Sequence, residues 1–211
     1  MTNLILPMVV VAAAAFATTR ASSAPCAGPT NISVEINVQE APITIVQDIP
    51  LENLRAVSAR LPQQPAHPVL GFYAGTIGYA LRGIEASSGG SACPAFRLKA
   101  DLVAVDRRIA IASDLVASPC RSRAALDHYR HHAAAASVAL HRFASELPAK
   151  LTPEIEQYIN LQQRTSDEAR QYADAILDAA VGDLSASLPQ VQKNVDTRDE
   201  IQRLSAPCDG I

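Results

Sequence analysis

The sequence predicts an α+β fold: a small antiparallel or mixed sheet followed by a helical C-terminal half. Two observations carry this. Before about Ser113, short stretches alternate apolar and polar residues with the period of a strand; from Arg121 onward, apolar residues recur at helical spacing. Strands first and helices afterwards is the α+β order, with the helices laid on one side of the sheet.

Ile32, Val34, Ile36 and Val38 alternate with Ser, Glu and Asn, which predicts a half-buried strand over Asn31–Val38. A second short strand follows Pro42, from Ile43 to Val46. Pro50 suits a first helical position, and Leu51, Leu54, Val57 and Leu61 continue from it at helical spacing. The prolines between Leu61 and Pro68 end that helix. Val69 to Ile84 is rich in Gly and β-formers and predicts a strand with glycine bulges. Ala86 to Ala92 reads as a loop. Phe96, Leu98, Ala100, Leu102 and Ala104 predict a strand to Val105, Asp106-Arg107 a turn, and Arg108 to Ser113 the return arm of a hairpin. Arg107 and Arg108 are then turn charges.

Arg121 to Leu147 predicts one long helix, with Leu126, Ala133, Leu140, Leu147, Tyr129, Ala136 and Phe143 on its apolar face. Thr152-Pro153-Glu154 signals the N-terminus of a second helix, about 153–164. Ser166-Asp167-Glu168 opens a third, carrying Ala169, Tyr172, Ile176 and Ala180 and interrupted near its end by Pro189. Thr197 caps a short last helix before Cys208.

The chain has 211 residues, a net charge of −3, 48 % apolar residues and 4 % aromatics with no Trp. That length suits a single domain, and the core is expected to be Ala, Leu, Val and Ile. No basic stripe interleaves with aromatics, so nucleic acid is not an expected partner. Leu4 to Ala17 is an apolar run ending in Ala15-Phe16-Ala17, which predicts a signal peptide over 1–17, with cleavage up to about 24, and a mature domain over 25–211. The run is too short to leave a stable membrane span. The expected location is the periplasm or the outside of the cell. Four cysteines in such a chain favour two disulfides, with three pairings open. The preferred pairing is Cys120–Cys208, tying the start of the long helix to the C-terminus, with Cys26–Cys93 bracing the N-terminal half.

The long helix holds four of the five histidines. His128 and His132 are four residues apart and so project roughly 40° apart, the spacing with which H-E-x-x-H offers two imidazoles to one zinc ion. Here the intervening residues are Tyr129, Arg130 and His131, so the glutamate that would take a proton is missing. Tyrosine, with an ordinary pKa of about 10, cannot replace it as a base at neutral pH. No third ligand follows from spacing: Val138 stands where a longer motif would place a histidine, and nothing chooses among Glu154, Glu156, Glu168 and Asp174. His131 points away from the apolar face and His141 lies on its opposite border. Asp127 is a candidate to orient an imidazole, or more simply an exposed charge.

The segment Arg108-Ile-Ala-Ile-Ala-Ser-Asp114, then Cys120, then histidines four apart, then Val195-Asp196-Thr197…Ile201…Leu204…Cys208, resembles a bacterial family of secreted zinc-dependent proteases of unknown function with a mini-zincin-like fold. The resemblance runs roughly from Ile32 to Cys208. It implies His128 and His132 as zinc ligands and matches Cys120 and Cys208 to the family's cysteines, while Tyr129 occupies the place of the catalytic glutamate. The expected function is therefore a secreted, zincin-like module with a degenerate site, serving a protein or peptide partner. The alternatives are an active zinc peptidase and an extracytoplasmic metal-binding protein using His128, His131 and His132.

Overall fold

The computed structural model describes residues 31–58, 69–87, 95–161, 166–205 and 208. The signal-peptide stretch, Cys26, Leu61 to Pro68 and Cys93 lie outside them. Strand β1 spans Asn31–Glu40, β2 Thr44–Ile49, helix α1 Leu51–Ser58, β3 Gly71–Ser87 and β4 Ala95–Ala112; a single 3₁₀ turn over Ser113–Leu115 leads to α2, Pro119–Leu161, then α3, Ser166–Lys193, and α4, Arg198–Ser205.

The sheet is built around β4, and it is mixed. β3 pairs antiparallel along its length on one edge, while β1 and then β2 pair parallel on the other, β1 from Asn31↔Ala95 to Glu40↔Ala104 and β2 from Thr44↔Arg108. A purely antiparallel sheet is thus ruled out. The strands-then-helices order holds, and a bulge expected among the glycines of β3 falls between Leu81 and Gly83, where Arg82 is the extra residue.

The expected hairpin at Asp106-Arg107 does not form; β4 runs straight through it. Asp106 adopts a left-handed backbone, φ 52°, and with Arg107 it stands opposite the single residue Gly75, since Thr76 pairs Val105 and Ala74 pairs Arg108. That is a β-bulge, which inserts one residue and reverses which face later side chains take. The even-numbered Phe96, Leu98, Ala100, Leu102 and Ala104 belong to one apolar cluster with Leu140, Leu147, Leu151, Ile155, Leu177 and Leu184 of the helices. Beyond the bulge the odd-numbered Ile109 and Ile111 join a second cluster with Leu54, Ala125, Tyr129 and Ala133. Alternation up to Val105 followed by a polar pair looks like a strand and a turn; one left-handed residue makes it a single strand.

α2 serves both clusters and is longer than expected, absorbing residues 153–161 of the segment assigned to a second helix. Pro148 and Pro153 lie inside it, and each costs about 3 kcal/mol in a helix interior. Leu147, Leu151 and Ile155 are all buried across that stretch, worth about 1.5–3 kcal/mol each, so burial is large enough to carry the helix through. Thr152 is not an N-cap: its hydroxyl donates to the Pro148 carbonyl at 2.7 Å. Pro189 likewise lies within α3 rather than interrupting it. Cys120 and Cys208 form a disulfide, with Cα atoms 5.9 Å apart. Among the described residues, no helix is long and apolar enough to cross a membrane.

Candidate metal centre

The first third of α2 lies against the second cluster, and the same turns that bury Ala125, Tyr129 and Ala133 carry His128 and His132 inward beside them. His128 is fully buried and His132 nearly so. Their Nε2 atoms are 3.1 Å apart. The carboxylate of Asp196 closes the third corner, its Oδ1 lying 3.1 Å from His132 Nε2 and 3.3 Å from His128 Nε2. Among the described residues, these three form the group able to hold a metal ion.

The outer nitrogens are fastened too. His128 Nδ1 lies 3.1 Å from Glu200 Oε1, and His132 Nδ1 2.5 Å from Gln192 Oε1. The Gln192 amide also donates to the His132 carbonyl at 3.3 Å, which orients its oxygen toward the ring. With both Nδ1 atoms set against oxygen acceptors, the two Nε2 atoms face each other and Asp196. Imidazoles held by an oxygen acceptor on the far nitrogen are the common arrangement around bound metals.

Two elements bring Asp196 and Glu200 here. At the end of α3 the chain turns tightly, with Val195 N–H donating to Gln192 O and Asp196 N–H to Lys193 O. Thr197 then caps α4 as expected, its hydroxyl accepting from Glu200 N–H at 3.3 Å. Thr197-x-x-Glu200 has the form of a capping box, but the glutamate side chain goes to His128 and to Arg203, whose guanidinium donates to it at 2.6 and 2.9 Å. Those bonds from Arg203, and next the one from His128, hold the Glu200 carboxyl down to about pKa 2 against the opposing effect of burial.

Tyr129 stands apart from this chemistry. Its phenol oxygen accepts from Gly71 N–H at 3.0 Å, and burial pushes its pKa up to about 12. A Cβ on Gly71 would lie 2.2 Å from the Ala110 carbonyl oxygen and 2.7 Å from Tyr129 Cε2, so this strand start needs glycine to let the ring in. Tyr129 is a core residue, as its place on the apolar face predicts.

The third donor of the group is none of the carboxylates that spacing leaves open. Glu154, Glu156, Glu168 and Asp174 are not in the group; Asp196 is. His131 approaches Glu200 at 3.4 Å and is otherwise exposed, which places it outside the donor triangle. Asp127 pairs with Arg130 at 3.3 Å on the surface, an ordinary charge. His141 lies near Glu40. Asp196, Glu200 and Gln192 are the residues that sequence reasoning missed; the only available signal was Val195-Asp196-Thr197 in the resemblance.

Protein-family models, curated proteins and solved structures were all compared with the chain, and none matches it.

Proposed function

We propose that this chain is an exported, zincin-like zinc-binding protein whose hydrolytic machinery is incomplete, serving as a binding or structural module for a protein or peptide partner. One observation carries the reading: the donor triangle has edges of 3.1, 3.1 and 3.3 Å. Donors about 2.0–2.2 Å from a tetrahedral zinc ion stand about 3.3–3.6 Å from one another, close to these edges. Two imidazoles and a carboxylate suit zinc better than calcium or magnesium, which favour all-oxygen sets.

The same surroundings argue against proton transfer. Tyr129 is committed to Gly71 and titrates near 12. Glu200, held near 2, is too weak a base to be matched to neutral pH. The Cys120–Cys208 disulfide and the apolar run Leu4–Ala17 support export.

A second reading, an active zinc hydrolase, is favoured by the number of donors. Three protein ligands, rather than four, is the count of catalytic zinc sites.

Elemental mass spectrometry on disulfide-intact protein tests the first claim. About one zinc per chain is expected, falling to near zero in a His128→Ala/His132→Ala double variant. Absence of zinc from the parent overturns the proposal. Chelator-sensitive cleavage of casein by the parent would replace the module with the hydrolase.

A further inference from the structure

The donor triangle and the outer partners of its imidazoles draw on two segments that are anchored differently. Asp196 and Gln192 belong to the end of α3 and the turn that continues it, where backbone hydrogen bonds to Gln192 O and Lys193 O fix the chain. Glu200 lies beyond that turn, on α4. This helix has eight residues, well below the roughly 12–15 needed for a helix to be even marginally stable alone. Among the described residues, neither apolar cluster takes a residue of α4. What fastens α4 to α2 includes the contacts of Glu200 with His128 and His131 and, just past the helix, the disulfide from Cys208 to Cys120. Cys120 sits in the first turn of α2, about two turns before His128 at 3.6 residues per turn. The bond therefore ties the far end of α4 to the helix that carries both histidines.

We infer that the Cys120–Cys208 disulfide is a thiol-sensitive clamp on the metal centre. Closed, it presses α4 onto α2 and keeps Glu200 on His128 Nδ1. A dithiol opens it by exchange: one thiolate attacks a cystine sulfur, the second displaces the mixed disulfide, and the dithiol leaves oxidised as Cys120 and Cys208 become thiols. α4 then loses its covalent fastening and Glu200 its fixed place, while Gln192 and Asp196 stay with α3. Opening accordingly weakens metal binding without abolishing it. Loss of an outer partner of a ligand imidazole typically costs 10–100-fold in affinity.

This inference rests on the zinc reading, and the two fail differently. Zinc affinity is measured by competition with a chromophoric chelator on the oxidised full chain, a Cys120→Ser/Cys208→Ser variant and a Glu200→Ala variant that keeps the disulfide. The clamp predicts a 10–100-fold weaker Kd for each variant, and little further loss when they are combined, because both remove the same support. Unchanged affinity in the serine variant overturns the clamp while leaving zinc binding intact. Where the serine variant does not fold, judged by circular dichroism, Glu200→Ala decides: full affinity there overturns the clamp. No zinc binding by the oxidised parent removes both the clamp and the reading beneath it.

Discussion

Two polar clusters sit on α2, little more than one helical turn apart, and they balance charge in opposite ways. In one, Glu40 of β1 meets Arg107 of β4 at 2.6 Å, both side chains largely buried. Ser137 donates to Glu40 at 2.5 Å, His141 lies 3.0 Å from it, and Arg107 also donates to the Ala41 carbonyl at 3.1 Å. A cation meets an anion, and the remaining donors and acceptors are shared out. In the other, the inward atoms are two imidazole nitrogens and a carboxylate oxygen within about one atomic diameter of each other, while the arginine nearby, Arg203, is engaged by Glu200 on the outside. The first cluster is complete as an ion pair and needs nothing more. The second gathers electron-rich atoms where a cation would sit. Buried polarity alone does not mark a site; the sign of what faces inward does.

Breaking the first cluster should produce the largest effect and leave the second alone. Arg107→Ala removes the buried cation from the Glu40 carboxylate and leaves it only Ser137 and His141 of the partners named above, which is expected to cost up to about 3–5 kcal/mol, read as a lowered midpoint in urea at unchanged m-value. Zinc content should be unaffected. Loss of zinc with Arg107→Ala would mean that the two clusters are one system.

Tyr129 sharpens the same contrast from the other side. Tyr129→Phe keeps the ring in the second apolar cluster but leaves the buried Gly71 N–H without its acceptor, for an expected loss of about 1–3 kcal/mol. Zinc affinity should change by less than about threefold, since the phenol is not a donor to the centre. Tyr129→Glu places a carboxylate in that apolar site and should destabilise the chain by more than Tyr129→Phe. Thermal melts with and without zinc compare the three proteins.

Much of this was legible beforehand, and the failures share a cause. β1, α1, the bulged β3 and the Thr197 cap follow from local periodicity and capping chemistry, while cysteine parity predicts disulfides without choosing Cys120–Cys208 among three pairings. The expected hairpin at Asp106 and helix start at Pro153 fail because tertiary burial outweighs local signals: a single left-handed residue carries β4 onward, and Leu147, Leu151 and Ile155 hold α2 together across two prolines. Within the site, the two histidines were visible because one helix spaces them four apart. Asp196 and Glu200 were not, because they come from another element, and the Thr-x-x-Glu pattern that contains Glu200 has a sufficient local explanation as a cap.

Acid should loosen the candidate metal centre's outer support at a pH set by Glu200. Its carboxyl titrates near 2 in the folded chain against 4.5 ordinarily, so folding favours its charged form. The stability this contributes is present above about pH 4.5 and is lost as pH falls through the folded value near 2. Metal-free protein is therefore expected to lose thermal stability between those limits, and Glu200→Gln to flatten that part of the profile. Arg203→Ala should flatten it too, because the arginine is the main cause of the depression. An unchanged slope in both variants would move the acid sensitivity to other carboxylates.

The smallest effect should come from the residue that makes the first cluster possible. Asp106 is exposed and left-handed, a backbone region that costs most L-residues about 1–2 kcal/mol and glycine very little. The bulge it forms turns Arg107 to the helix-facing side of β4, where Glu40, the partner of Ala104 in the register, waits on the neighbouring strand. Asp106→Gly is expected to keep the bulge and stabilise the protein by about 0.5–1 kcal/mol, because relief of the strained backbone outweighs the added freedom of the unfolded chain. Asp106→Val should destabilise it by about 1–2 kcal/mol, since a β-branched residue resists positive φ. The decisive comparison is each substitution made in the Arg107→Ala background. If the kink exists to seat Arg107, Asp106→Val should cost clearly less once the arginine is gone; equal costs in both backgrounds would mean that the bulge serves only the change of face between the two apolar clusters.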